Sequence, residues 1–144
     1  MAHKSVIKHR SAAFDRQSGR CYYCGIQMWS DTPEAFARIY GLSLRQTRHF
    51  QCTAEHLVAK QDGGRDTRFN IAAACLLCNQ RRHKLKNAPK PKEYKALVQK
   101  RLSKGSWHPL PAGTHYHPDQ QGDLGCFGKR LSGADYYRLE PTLS

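Results

Sequence analysis

Two Cys-x-x-Cys motifs, Cys21/Cys24 and Cys75/Cys78, constrain this sequence more than any other feature. The two residues inside each motif allow both thiolates to face the same ion, and the two motifs together supply four sulfur ligands. Four thiolates form the closed tetrahedral set that structural zinc prefers. We therefore predict a structural zinc site that holds two distant segments together, takes no part in chemistry and contributes its binding free energy to folding.

Other uses of the cysteines stay open at this point. Unliganded core cysteines or a redox pair are the alternatives to zinc in the two motifs. The N-terminal segment is basic and has no apolar run of the kind that export signals carry, so we expect a cytoplasmic protein without disulfides. Cys52 and Cys126 lie outside the motifs and are expected to be buried thiols. A second metal site formed by His115, His117 and Cys126 is the alternative.

Charge and hydropathy limit the class of partner. The chain has 24 lysine and arginine residues against 11 aspartate and glutamate residues, a formal net charge of +13, and its densest basic run lies at residues 81–95. Such a charge attracts polyanions. No apolar run approaches the ~20 residues that a membrane helix needs. The composition favours nucleic acid as the partner and argues against a membrane; a basic surface that only aids solubility is the alternative.

The hydrophobic pattern predicts a small α+β protein with a single domain. Gly, Pro and aromatic residues become frequent after residue 104 without a regular period, so we expect a domain over residues 1–104 and an irregular extension over 105–144. Thr32 and Pro33 are typical of a helix start, and Gly41 of a helix end. The expected elements are helices at 5–18, 33–40, 79–86 and 92–102 and strands at 50–60 and 70–75.

A set of polar residues and glycines occurs in a specific order between the two cysteine motifs and just after them. The members of this set are Glu55, His56, Gly63, Gly64, Asn70 and Asn79. A carboxylate beside a histidine is weak evidence by itself, but the order and spacing of the whole set are specific. Over roughly residues 14–86 the sequence resembles the HNH endonuclease family, also called His-Me finger nucleases. The resemblance implies a ββα-metal motif, in which two short strands, a loop and a helix surround one divalent ion.

The resemblance also implies roles for individual residues. His56 corresponds to the general base, Asn70 to the middle asparagine and Asn79 to the last position of the HNH set. Glu55 corresponds to the acidic metal ligand, although aspartate is commoner there. His83 lies four residues after Asn79 and shares its helical face, where some family members place an additional metal-binding histidine. A helix cap at Asn79, and a His83 that faces phosphate or solvent, are the alternatives.

Phosphodiester hydrolysis gives these residue types a chemical reason. A neutral imidazole accepts a proton from water at about pH 7, and a divalent ion stabilises charge on the phosphate and on the leaving 3′ oxygen. Oxygen ligands from Glu55 and Asn79 favour Mg²⁺, and an imidazole from His83 would extend the tolerance to Mn²⁺, Ni²⁺ or Zn²⁺. Asn70 is expected to hold the loop after His56 through hydrogen bonds to its backbone.

The expected function is metal-dependent hydrolysis of DNA, with double-stranded DNA as the expected partner. Nicking or double-strand cleavage would leave 5′-phosphate and 3′-hydroxyl ends, as the family resemblance implies. Basic residues after the second motif are expected to contact phosphates without reading sequence. These are Arg81, Arg82, Lys84 and Lys86. Two alternatives stay open: a zinc-ribbon nucleic-acid-binding module without catalysis, and an HNH nuclease that acts on RNA. The sequence predicts neither a recognition site nor an oligomeric state.

Overall fold

The fold is built around a two-stranded antiparallel sheet that is followed directly by a helix. The computed structural model describes residues 2–109. In chain order the helices and strands are α1 (Ala2–Arg16), α2 (Pro33–Tyr40), α3 (Leu44–Thr47), β1 (Cys52–His56), β2 (Ile71–Cys75), α4 (Leu76–His83) and α5 (Pro91–Ser103). A 3-10 turn precedes β1 at Arg48–Phe50, and another follows it at Lys60–Asp62. The predicted α+β class is confirmed.

β2 is the most buried element. All five of its residues are buried, and its first residue, Ile71, pairs with His56 at the end of β1. The small side chains in the middle of β2 allow α1 to pack closely on the sheet. Gln17, just after α1, donates from its amide to the carbonyl of Ala73 at 2.8 Å and accepts from the N–H of Ala73 at 3.0 Å. Gln17 thereby gives the buried N–H of Ala73 a partner, and the carbonyl of Ala73 accepts a second hydrogen bond from the N–H of Tyr22 at 2.9 Å.

Aromatic residues join α5 to the cysteine motifs. Tyr94 and Val98 are the buried residues of α5, and the Tyr94 ring meets the ring of Tyr23 edge-on at 4.8 Å. The Tyr94 hydroxyl donates to the carbonyl of Cys78 at 2.8 Å. Trp107 is only 5% exposed and packs edge-on against Tyr94. Trp107, which lies in the predicted extension, is therefore part of the core.

The predicted elements agree with the structure in kind and differ at their ends. α2 has the predicted bounds and ends where Gly41 adopts a φ of 63°. The strand predicted over 50–60 stops at His56, because the chain then turns into a tightly bonded loop. α4 begins at Leu76, three residues before the predicted start, because Cys75 is its N-cap. α3 was not predicted.

Part of the sequence-based expectation lies outside the described residues. The structure does not describe residues 110–144, which include Cys126, His115 and His117 and most of the predicted extension. The boundary after residue 104 stays a prediction. Within the described part of the chain, none of the helices combines the length and the hydropathy that crossing a bilayer requires.

Candidate functional site

Four sulfur atoms meet beside the end of β2. Cys21, Cys24, Cys75 and Cys78 are buried and free of disulfides, and their Sγ atoms all lie within 4.8 Å of one another. The Sγ atoms of Cys24 and Cys75 are 3.9 Å apart. Two sulfurs that bind one tetrahedral zinc at about 2.3 Å are expected about 3.8 Å apart. The four cysteines are therefore positioned to bind a metal ion, and the spacing is consistent with zinc.

Local hydrogen bonds shape both cysteine motifs. The N–H of Gly25 donates to the carbonyl of Cys21 at 2.9 Å, and the positive φ of Gly25, 72°, closes this first turn. In the second motif, Cys75 ends β2 and Cys78 lies in the first turn of α4. The N–H of Cys75 donates to Sγ of Cys21 at 3.3 Å, and the indole N–H of Trp107 donates to Sγ of Cys78 at 3.2 Å. Such donors stabilise the negative charge of metal-bound thiolates.

Cys52 stands apart from this cluster. It pairs with Cys75 across the sheet and is 3% exposed. Burial raises the pKa of its thiol to about 12, so the thiol is protonated at neutral pH. Cys52 is the buried thiol that the sequence predicted.

Glu55 is a buried carboxylate with three side-chain partners. Its side chain has no solvent exposure. Oε1 accepts hydrogen bonds from the Tyr23 hydroxyl at 2.8 Å and from the Arg82 guanidinium, and Oε2 lies 3.1 Å from Nε2 of His83. Burial, followed by the charge of Glu55, raises the pKa of Tyr23 well above its ordinary value, so its hydroxyl keeps its proton and donates. Arg82 is 4% exposed and compensates the buried negative charge.

His56 is paired with an acidic residue of the following loop. Its Nε2 lies 2.7 Å from Oδ1 of Asp66, and Nζ of Lys60 lies 3.2 Å from Oδ2 of the same carboxylate. The hydrogen bond from His56, helped by Lys60, lowers the pKa of Asp66, so the carboxylate is ionised at neutral pH. A carboxylate only accepts hydrogen bonds, so Nε2 carries the proton. In the neutral form of this tautomer, Nδ1 carries the lone pair that can accept a proton.

The loop between the strands is held by Asn70 and by close backbone packing. Oδ1 of Asn70 accepts from the N–H of Val58 at 2.8 Å, and its Nδ2 donates to the carbonyls of Val58 and Arg65, both at 3.0 Å. Gly63 has a φ of 86°, and a Cβ on Gly64 would overlap the carbonyl of Val58. The loop that carries Asp66 therefore requires glycine at its tightest point.

Asn79 connects α4 to β1. Its Nδ2 donates to Oγ1 of Thr53 at 2.9 Å and to the carbonyl of Ala54 at 3.1 Å. Side chains alternate along a strand, so Thr53 and Glu55 share the face of β1 that α4 covers. Asn79 is not the cap of α4, since Cys75 holds that position. No hydrogen bond in the described residues joins the ring of His56 to Glu55, Asn79 or His83.

Glu55 and His83 offer the best-placed ligand atoms for a catalytic ion. Their Oε2 and Nε2 atoms are 3.1 Å apart. Two neighbouring ligands of an octahedral ion at about 2.1 Å lie about 3.0 Å apart, so the pair fits one divalent cation. Oε1 is already used by Tyr23 and Arg82. The donor set therefore suits an ion that Glu55 binds through a single oxygen.

The basic residues of α4 differ in exposure. The Arg81 guanidinium lies 4.6 Å from the centre of the Trp107 ring and donates to the Trp107 carbonyl. Arg82 is buried and also donates to the carbonyl of Pro89. Lys84 and Lys86 are exposed. The structure thus leaves the two lysines free to meet a phosphate, whereas Arg82 is directed into the protein.

The sequence analysis does not predict the observed contacts of three residues in this site. Asp66 was not singled out, although an acidic residue just after a Gly-Gly loop is a usable signal. Arg82 was assigned to DNA from its basic neighbours, and its pairing with Glu55 depends on how α4 packs against β1. Tyr23 lies inside the first cysteine motif, and no local pattern connects it to Glu55.

Comparison with known protein families gives one match. Residues 45–85 match the family model described as HNH endonuclease. The matched segment contains β1, the loop, β2 and α4, which carry every residue that the resemblance assigned to catalysis. The recognition of this family is confirmed for that segment, and proteins of this family are generally nucleases that act on nucleic acids. Neither the curated proteins nor the solved structures gave a match.

Proposed function

We propose that the protein is a metal-dependent endonuclease that hydrolyses phosphodiester bonds in DNA, with His56 as the general base. The observation that carries this proposal is that two pairs of side chains lie close together at the end of β1. Nε2 of His56 is hydrogen-bonded to Oδ1 of Asp66 at 2.7 Å, and Oε2 of the adjacent Glu55 lies 3.1 Å from Nε2 of His83. Both pairs lie in the segment that matches the HNH family. A base and an anionic metal ligand are therefore adjacent in the chain.

The proposed chemistry begins with water beside His56. Nδ1 accepts a proton from water while the water oxygen attacks the phosphorus, and the ionised Asp66 stabilises the imidazolium that forms. The bond from phosphorus to the 3′ oxygen breaks, and that oxygen takes up a proton from solvent. The products are a 5′-phosphate and a 3′-hydroxyl. Asn70 keeps the His56 loop in position through its bonds to Val58 and Arg65.

Glu55 and His83 would hold the catalytic ion, and Asn79 is the third proposed ligand. Nδ2 of Asn79 is used by β1, so its side-chain oxygen is the atom available for a cation. When bound, Mg²⁺ or a similar divalent ion supplies charge stabilisation on the phosphate and on the leaving oxygen. Arg82 and Tyr23 fix the Glu55 carboxylate so that Oε2 is presented toward His83.

The four-cysteine site is proposed to hold a structural zinc. It joins the turn at Cys21/Cys24 to the junction of β2 and α4, so it positions the helix that carries Asn79 and His83. All four thiolates are used, which leaves no open coordination position for substrate. The zinc would therefore support the site without entering the reaction.

The net charge and the exposed lysines support DNA as the substrate. The formal net charge is +13. Lys84 and Lys86 continue beyond α4 on the surface and would neutralise phosphates. Arg82 is not part of the proposed interface, because its guanidinium is buried against Glu55.

A metal panel with end mapping tests the proposal. Protein purified with its zinc is incubated with supercoiled plasmid and, in parallel, with RNA, while Mg²⁺, Mn²⁺, Ni²⁺ and Zn²⁺ are added one at a time. We expect plasmid nicking or linearisation in at least one metal, with 5′-phosphate and 3′-hydroxyl ends. Protein that shifts DNA and cleaves nothing in any metal would instead be a zinc-dependent binding module. Cleavage of RNA alone would exclude DNA as the substrate.

A further inference from the structure

Phe69 is unusually exposed for a large apolar residue. Its exposed fraction is 82%, whereas the other exposed large hydrophobic residues of the described chain lie between 39% and 56%. Exposed aromatic rings are common binding elements because their faces are apolar and rigid. Single exposed apolar residues are also common, so exposure by itself carries no inference. The inference depends on the backbone and the charges around Phe69.

The backbone around Phe69 is held in place. The N–H groups of Asn70 and Ile71 donate to the carbonyl of Thr67 at 3.1 and 3.0 Å, which forms a turn around the phenylalanine. The side chain of Asn70 anchors the same turn to Val58. The ring therefore projects into solvent from a fixed turn.

An arginine side chain packs on the ring, and two further arginines lie on or against the same loop. The guanidinium carbon of Arg68 lies 5.0 Å from the ring centre. Arg16 donates to the carbonyl of Arg68 at 3.5 Å, and Arg65 is exposed on the same loop. A partner for this surface must be anionic and must also offer a flat apolar face. A nucleobase attached to its phosphate backbone meets both conditions, whereas a second copy of this chain would be repelled by its own charge of +13.

Phe69 is also close to the proposed base. It lies two residues before Ile71, which pairs with His56 across the sheet. Two residues span at most about 7 Å, and paired strand residues are about 5 Å apart. The Cα atoms of Phe69 and His56 are therefore within about 12 Å. One strand of DNA advances about 3.4 Å per nucleotide, so this separation corresponds to a few nucleotides.

We propose that Phe69 and Arg68 form a stacking platform for an unpaired nucleobase that lies a few nucleotides from the phosphate to be cut. This inference rests on the proposed function and deepens it. In a perfect duplex both faces of every internal base are already stacked, so the platform favours substrates with an unpaired base, such as a bulge, a flap or a single strand. The expected preference is for such DNA over fully paired DNA of the same length.

Binding to a fluorescent base tests the platform without cleavage. Full-length protein carrying His56→Ala is titrated with two duplexes that contain 2-aminopurine, one with this base in a bulge and one with it paired. We expect quenching in the bulged DNA and at least about tenfold tighter binding than to the paired DNA. F69A and F69L should lose both effects, because leucine keeps apolar area without a stacking face, and F69Y should retain them. Leu44→Ala, which removes another exposed apolar side chain, should match the parent.

The outcomes separate this inference from the proposed function. If F69A or F69L quenches the 2-aminopurine fluorescence and binds the bulged DNA as the parent does, the proposal of a stacking platform is wrong. If F69A weakens binding to bulged and paired DNA equally, Phe69 is a general contact or a wedge, and the stacking proposal is also overturned. Cleavage of plasmid by the protein with His56 would leave the proposed function intact in both cases. A protein that binds neither DNA would contradict both proposals.

Discussion

Nε2 of His56 lies 2.7 Å from Oδ1 of Asp66, although the two residues are ten positions apart, on either side of the loop glycines Gly63 and Gly64. Both side chains are largely shielded, with exposed fractions of 17% and 18%. Asn70 holds that loop against its own backbone, so the pairing of acid and histidine is a consequence of how the loop folds. In the proposed reaction this pairing directs the second ring nitrogen of His56 to water.

Replacing Asp66 with asparagine should slow cleavage while leaving substrate binding intact. The charge that stabilises the imidazolium is lost, and we expect kcat to fall about 10- to 100-fold with little change in KM. Asp66→Glu should recover part of the rate, since it restores the charge. Steady-state kinetics on a DNA oligonucleotide measures both constants. Asp62→Asn removes an exposed carboxylate of the same loop and serves as the control. Equal rates for Asp66→Asn and Asp62→Asn would rule out a positioning role for Asp66.

Replacing Arg82 with methionine should destabilise the fold. Glu55 would then be a buried charge without its compensating partner, and breaking a buried pair in this way costs about 3–5 kcal/mol. Urea unfolding monitored by circular dichroism gives the free energy of unfolding. Lys84→Met, on the exposed continuation of α4, should change it by less than about 0.5 kcal/mol. Similar stabilities for the two variants would show that the Glu55–Arg82 pair is not important for folding.

Cys75, the last residue of β2, should be essential both for zinc binding and for folding. Cys75→Ser removes one of four sulfur ligands, and zinc binding contributes directly to the folding free energy of such domains. We expect the variant to lose its zinc, as measured by elemental analysis, and to expose Trp29 and Trp107, which pack in and against the core, as measured by a red shift of the tryptophan fluorescence. Cys52→Ala, at the cysteine outside the cluster, should keep its zinc. A well-folded Cys75→Ser protein without zinc would contradict the structural role of the ion.

His108 should make stability depend on pH. Both ring nitrogens are buried, the ring stacks on Phe50 at 5.0 Å, and burial lowers the pKa of His108 from 6.5 to about 4. A lowered pKa means that the unfolded chain binds the proton more readily, so this stabilisation is complete above about pH 6.5 and is lost as the pH falls toward 4. When the pH is lowered from about 7.5 to about 5.5, the free energy of unfolding of the wild type should fall by about 1.4 kcal/mol more than that of His108→Phe. Urea unfolding at both pH values measures the two changes. Parallel losses in the two proteins would contradict a buried neutral His108.

Much of the fold could be predicted because its signals are local. The cysteine spacing indicated the metal cluster, and Pro33 and Gly41 marked the ends of α2. The short apolar run at residues 70–75 predicted the second strand. The capping box of Ser43 and Gln46 at the start of α3 was a local signal as well, but a helix of one turn has no hydrophobic period to support it.

The contacts within the site were harder to predict because they connect distant segments. The sequence placed Arg82 in a basic run, and only the packing of α4 on β1 turns its guanidinium toward Glu55. Likewise, nothing near Tyr23 indicates that its hydroxyl reaches the same carboxylate. The sequence therefore indicated which residue types make up the site, while tertiary packing determines which of them bind each other.

The central claim is that His56 activates water for DNA hydrolysis, and a single-turnover cleavage rate tests it most directly. Wild-type protein and His56→Ala, both with full zinc content, are mixed in excess with labelled DNA in the most active metal, and His9→Ala serves as a matched histidine control. We expect cleavage by His56→Ala to be at least about 100-fold slower than by the wild type, with DNA binding retained. Cleavage by His56→Ala at the rate of the wild type and of His9→Ala would contradict the account.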